Sequence, residues 1–214
     1  MGDCFRTVTA RKASWTVQLG PVLPRAFYGR PALRVARELL GQLLVHRQGG
    51  QTRAARIVET EAYVGEHDLA CHACHGRTPR TDVLYGPPGH AYVYFVYGMH
   101  WLFNVVTGEE GVASAVLVRG VEAWAGIPGG VRTDGPGRLT RALGIGGAHN
   151  RVDLTASSLA ILQGQPPGRR SVRRGPRVGV GYAGIWAMRP YRFWVEGSPG
   201  VSRAPRPAGA RGAA

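Results

Sequence analysis

Lysine is almost absent from this chain of 214 residues: Lys12 is the only one, and arginine carries the basic charge. Arginine makes bidentate contacts with phosphate but does not deprotonate to become an amine nucleophile. A Schiff-base mechanism would therefore rest on Lys12 or the terminal amine, both in a weakly patterned segment. Cysteine is scarce too. Cys4, Cys71 and Cys74 cannot make an even set of disulfides, which points away from a small disulfide-stapled secreted domain. No apolar run reaches signal-peptide or transmembrane length, so a cytoplasmic protein without a membrane partner is expected. Acidic residues are few, 13 against 27 Lys+Arg, for a net charge of +14 and a pI near 10.9. Such a balance is the footprint of a polyanion binder, with compositional bias as the bland alternative.

The pattern along the chain fits one domain. Residues 1–22 read as an N-terminal extension, 23–202 as the folded domain, and 203–214, rich in Arg, Pro, Gly and Ala, as a disordered tail. Ala32 to Val45 spaces its apolar residues by three and four and reads as an amphipathic helix running into a strand. Arg56 to Tyr63 follows as an antiparallel partner, and Gly65 to Gly89 as a long polar loop of the kind that often carries function. Ala91–Tyr97, Trp101–Thr107 and Ala113–Arg119 are expected strands, and Asp134–Ile145 a capped helix entry with Pro136 near its start. Five arginines between 169 and 177 suggest an exposed, phosphate-facing loop, and 178–195 returns to strand-like runs.

Chemistry concentrates between residues 56 and 122. In an extended strand Ile57, Glu59, Glu61 and Tyr63 share one face, with the two carboxylates roughly 6–7 Å apart. Burial and mutual repulsion would raise the pKa of at least one and suit it to general-base work; solvated acids on an edge strand are the alternative. Tyr92, Tyr94 and Tyr97 lead into Gly98, followed by Met99, His100 and Trp101. A hairpin tip carrying an exposed ring can wedge between base pairs, though strand aromatics more ordinarily pack a core. Cys71-His72-Ala73-Cys74-His75 matches the haem-attachment pattern C-x-x-C-H. Without an export signal or a second cysteine pair, neither haem nor zinc is expected, and no cofactor is assigned.

The ordered runs Arg56–Tyr63, Ala70–Ala73, Gly76–Thr81, Tyr85–Tyr94, Tyr97–His100, Asn104–Thr107, Ala115–Arg119 and Thr133–Gly137 closely resemble the alkyladenine (3-methyladenine) DNA glycosylase family, across roughly residues 23–202. The resemblance implies an α+β fold: a single mixed domain with a curved antiparallel sheet, surrounding helices and a protruding hairpin that inserts into DNA. It implies a monofunctional enzyme, acting as a monomer on double-stranded DNA, that flips an alkylated purine outward and hydrolyses its N-glycosidic bond. Position by position, it makes Glu61 the general base and Arg119 a residue holding the attacking water. Tyr63, His72 and Tyr94 become walls around the flipped base, Asn104 the group that clashes with the 2-amino group of guanine, and Tyr97 the side chain that refills the stack. Location would be nucleoid-associated in a bacterium and nuclear in a eukaryote. The chain departs from the family in a short 123–132 connection, in Ala123 where proline is usual, and in Gly181 and Ile185 where polar residues are usual. A non-catalytic damaged-DNA-binding protein of the same fold is the principal rival, and a metal- or haem-binding carrier the third reading.

Overall fold

The computed structural model describes residues 19–202. Residues 1–18 of the expected extension and 203–214, the expected tail, lie outside the described residues. Leu19 and Val22 pack on the apolar side chains of Leu43, Val45 and Leu162, and Val22 bridges Leu162.

The chain enters through two short helices, α1 (Arg25–Tyr28) and α2 (Ala32–Glu38). Proline precedes each, with its φ preset and no N–H to leave unpaired. Ala32, Val35, Ala36, Leu39 and Leu40 repeat at helical spacing and are all buried. The sheet then builds from β1 (Leu43–Gln48), β2 (Gln51–Tyr63), β3 (Ala91–Val96), β4 (His100–Val106), β5 (Ala115–Ala125), β6 (Leu159–Leu162), β7 (Val172–Gly175) and β8 (Arg192–Val195). The order β3-β4-β5-β2-β1-β6 is antiparallel throughout, and it curls into an open half-barrel. The mixed α+β class expected from the resemblance is the class observed.

β2 organises the molecule. One edge pairs with β5 from Ala54 to Tyr63. The other pairs first with β1, up to Arg56, and then with β8 from Glu59 to Glu61. Register shifts fall at Ile57/Glu59 and Glu59/Thr60, where the strand bulges. The bulge overturns the expected alternation. Ile57 joins Ala62 in the main core under α2, while Glu59 and Glu61 both approach Arg119. A strict period of two would have put Ile57 beside the glutamates; the extra residue turns its side chain to the other face.

The helix α3 (Pro136–Leu143) begins with the expected proline and ends on Gly144 at φ 70°, a left-handed cap that glycine adopts without strain. It buries Leu139 and Leu143 against β4 and β5, roughly 1.5–3 kcal/mol for each side chain. Two expectations fail in the last third of the chain. The arginine-rich stretch is no simple loop: Val172–Gly175 forms β7 against β8, which leaves Arg173 and Arg174 on an edge strand. The strand-like runs expected within 178–195 reduce to one strand, Arg192–Val195, and Gly181–Met188 forms 3-10 turns. Gly184 sits at φ 55° inside those turns, a backbone that no regular strand accommodates.

Candidate active site

A cavity of about 1040 Å³ opens between the C-terminal half of β2, the β3–β4 hairpin, α3 and residues 178–182. All seven residues to which the resemblance gives a role line it: Glu61, Tyr63, His72, Tyr94, Tyr97, Asn104 and Arg119. β2 supplies Glu61 and Tyr63, β3 supplies Tyr94, β4 supplies Asn104 and β5 supplies Arg119. His72 comes from the 3-10 turn His72–His75, within the loop expected to be functional.

Glu61 is fully buried yet well provided with donors. Oε1 accepts from the backbone N–H of Val178 at 2.8 Å, and Oε2 accepts from the Tyr63 hydroxyl at 2.9 Å. Arg119 Nε lies 3.6 Å from Oε1. Burial dominates and raises the carboxyl pKa; Arg119, the Val178 N–H and the Tyr63 hydroxyl act against it, and Glu59 adds to the rise. A buried carboxylate poised above its ordinary range suits proton abstraction near neutrality.

Glu59 is equally buried but differently used. It accepts from Arg192 Nε at 2.6 Å, from the Ser202 N–H at 2.6 Å and from the Ser202 hydroxyl at 3.0 Å. Arg119 Nε, 3.3 Å away, links the two glutamates and donates to the Ser202 hydroxyl at 2.9 Å. Glu59 does not line the cavity: it ties the end of the described chain to the sheet.

The walls are aromatic. His72 and Tyr94 meet edge to face, ring centroids 4.6 Å apart, and Tyr92 tilts against Tyr94 at 5.1 Å. His72 Nδ1 is 2.9 Å from the Tyr92 hydroxyl. Burial, with Arg80 and His75 nearby, pushes the His72 pKa down to about 4, so the ring is neutral at physiological pH. Burial also raises the Tyr63 and Tyr94 hydroxyls above the ordinary phenol range. The Asn104 amide is fixed by donating from Nδ2 to the Tyr92 carbonyl at 3.1 Å.

The rim is exposed. Between β3 and β4 a three-residue loop turns through Tyr97 at φ 53° and Gly98 at φ 65°, the paired positive φ of a type I′ turn, closed by the Met99 N–H donating to the Val96 carbonyl at 3.2 Å. Glycine takes that conformation freely, whereas a tyrosine there costs about 1–2 kcal/mol. Tyr97 is 85% exposed, with Met99 beside it at 68%. The core-packing alternative for this ring does not hold, and it does hold for Tyr92, which is buried.

Several contributors were invisible in the sequence. The Val178 N–H reaches Glu61, Ser202 reaches Glu59 and Arg177 reaches Asp68 across more than a hundred residues of sequence each, and Ser202 also accepts from Arg119, 83 residues away. Arg177 is a correction as well: grouped with phosphate-facing arginines, it is buried, while Arg169, Arg170 and Arg174 are exposed and Arg173 pairs with Glu196 at 2.6 Å. Among the described residues no three His, Cys, Asp or Glu side chains come together as a metal site.

The sequence matches the methylpurine-DNA glycosylase family over residues 26–199. A Myxococcus xanthus protein named for an inferred 3-methyladenine DNA glycosylase activity is 60% identical over 185 residues, covering 86% of this chain and 95% of that protein. A similarly named protein of Anaeromyxobacter dehalogenans is 54% identical over 184 residues, 86% of each chain. One from Legionella pneumophila is 46% identical over 181 residues, 85% of this chain and 98% of that one.

Proposed function

The chain belongs to the methylpurine-DNA glycosylase family, and from that premise we propose that it excises alkylated purines of the 3-methyladenine type from duplex DNA by hydrolysis. The observation that carries this reading is Glu61: a fully buried carboxylate, held by two donors, on an aromatic-lined cavity of about 1040 Å³. An extruded purine enters between Tyr63, His72 and Tyr94. Water beside Glu61 gives up a proton to the carboxylate and attacks the anomeric carbon as the C–N bond breaks. The electron pair of that bond stays with the purine. Arg119, reaching Glu61 Oε1 at 3.6 Å, orients the carboxylate and its water.

Alkylation at a ring nitrogen gives the purine a positive charge, which the departing electron pair discharges. The base is therefore already a good leaving group, and aromatic walls favour the charged ring over a neutral one. His72, kept neutral by burial, presents its ring without adding repulsion to a cationic base. The Asn104 amide, locked to Tyr92, occupies the space a guanine 2-amino group would need. Tyr97 fills the gap left in the duplex. Among the described residues no lysine lines the cavity, so a Schiff-base lyase step has no amine there.

The test is release of free methylated base from DNA treated with a methylating agent, followed by chromatography, with Glu61→Gln alongside. Base release by the unmodified protein and its loss in the variant are expected. Tight binding of damaged duplex with no release by the unmodified protein would instead support the non-catalytic reading.

A further inference from the structure

We propose that Arg177, clamped by Asp68, is a positioning residue that sets the orientation and protonation of Glu61 without touching the substrate. The inference rests on Glu61 being the base. Both side chains of the pair are fully buried, with Nη1 of Arg177 at 2.5 Å from Oδ2 of Asp68 and Nη2 at 2.7 Å from Oδ1. A buried ion pair costs desolvation, so its retention beside a reactive centre calls for a reason beyond stability.

What Arg177 touches supplies that reason. Nη1 also donates to the carbonyl of Ala62 at 2.8 Å, the residue between Glu61 and Tyr63. The guanidinium lies over the Tyr63 ring, 4.7 Å from its centroid. Tyr63 lines the cavity and Arg177 does not, so the guanidinium backs the wall. The residue that follows Arg177 is Val178, whose N–H holds Glu61 Oε1. Both donors to Glu61, the Tyr63 hydroxyl and the Val178 N–H, are thus fixed by one side chain. Asp68 extends the clamp to the third wall. Its Oδ1 also accepts from the Ala70 N–H at 3.1 Å and its Oδ2 from the Val64 N–H at 3.2 Å, at the head of the loop that delivers His72.

The two donors favour the ionised form of Glu61, and the charge of Arg177 adds to them. Without the clamp they are no longer held in place, and Glu61 takes up a proton at higher pH. Glu61 must be ionised to act, so the acid limb of the reaction moves upward. A role in folding alone predicts something else: a uniform loss at every pH, in proportion to the folded fraction.

The experiment uses the full chain with Asp68→Asn combined with Arg177→Met, which removes both charges and leaves no unpaired ion. Carboxyl carbon NMR follows the Glu61 titration, assigned with Glu61→Gln, and single-turnover excision is measured across the same pH range. We expect the Glu61 midpoint and the acid limb to rise together by about one pH unit, with the alkaline plateau much less affected. Arg177→Lys, which keeps the charge but not the fork, should shift both by a smaller amount and serves if the double variant does not fold. An unmoved Glu61 midpoint in the folded variant overturns the proposal. If the unmodified protein releases no base, the excision reading falls, and the NMR titration still decides the positioning role.

Discussion

At the floor, Glu61 on the cavity and Glu59 behind it are fully buried and spend their oxygens on five named donors from four separate stretches of chain. At the rim, Tyr97 is 85% exposed, makes no hydrogen bond through its side chain among the described residues, and sits on a strained turn. The floor is held by tertiary contacts that only the complete fold supplies. The rim is held mainly by the hairpin itself, closed by the pairing of Val96 with His100. The difference teaches where each kind of substitution should register: at the floor in chemistry or stability, at the rim in encounter with DNA.

The largest effect is expected from Glu61→Gln. It keeps size and one acceptor but removes the base, and single-turnover excision should fall roughly a hundred- to ten-thousand-fold with DNA affinity nearly unchanged. Substantial residual turnover would break the comparison at its centre. The pH profile of the unmodified protein sharpens it. Because burial raises the Glu61 pKa and the base must be ionised, the acid limb should lie above the ordinary carboxylate range. His72, pushed down to about 4, should contribute no limb of its own near 6.5. A limb near 6.5 that vanishes in His72→Gln would move the chemistry from the carboxylate to the imidazole.

Next in size is Glu59→Gln, which leaves Arg192 short of a buried counter-charge. Stability should drop by about 3–5 kcal/mol in urea titration, while the excision rate per folded molecule changes far less than in Glu61→Gln. Equal catalytic losses from both variants would mean the two carboxylates share one task. Asn104→Ser should come third. It opens space beside Tyr92 and should move the ratio of guanine to adenine lesions released by roughly tenfold in a side-by-side assay. An unchanged ratio would free Asn104 of any part in discrimination.

The smallest effect is at the rim. Tyr97→Ser should weaken binding to lesion-containing duplex by about 1 kcal/mol, roughly fivefold, and slow its excision to match. Excision from single-stranded DNA should hardly change, since there is no stack to refill. The melting temperature should stay put, because an exposed ring contributes little to folding. A destabilised variant with equal losses on both substrates would place Tyr97 with the floor.

The rim was legible in the sequence because it is local: Tyr97-Gly98 between two apolar runs is a hairpin signal that needs no knowledge of the rest of the chain. Glu61 and Tyr63 were legible for the same reason, as neighbours on one strand. The bulge that turns Ile57 away was not, since β2 itself has no glycine or break there and the glycine at the irregularity, Gly120, stands on the partner strand β5. Nor was the burial of Arg177. Read beside Arg173 and Arg174 it looks like one more exposed cation, and only Asp68, 109 positions away, tells it apart. The turns at 181–188 were missed because an apolar run without clear period suits a strand and a packed turn equally.

The two-sided pairing of β2 has a consequence for how the molecule breathes. Its amides point alternately to β5 on one edge and to β1 and then β8 on the other, so no single strand can peel away and expose them all. Opening at Glu59–Glu61 requires separation on both flanks, a motion close to global unfolding. The β3–β4 tip has no such constraint. In deuterium oxide the amides near the glutamates should exchange last and those at 97–99 among the first. Heating or mild denaturant would then blunt the protein's grip on a helix well before it disturbed the carboxylate.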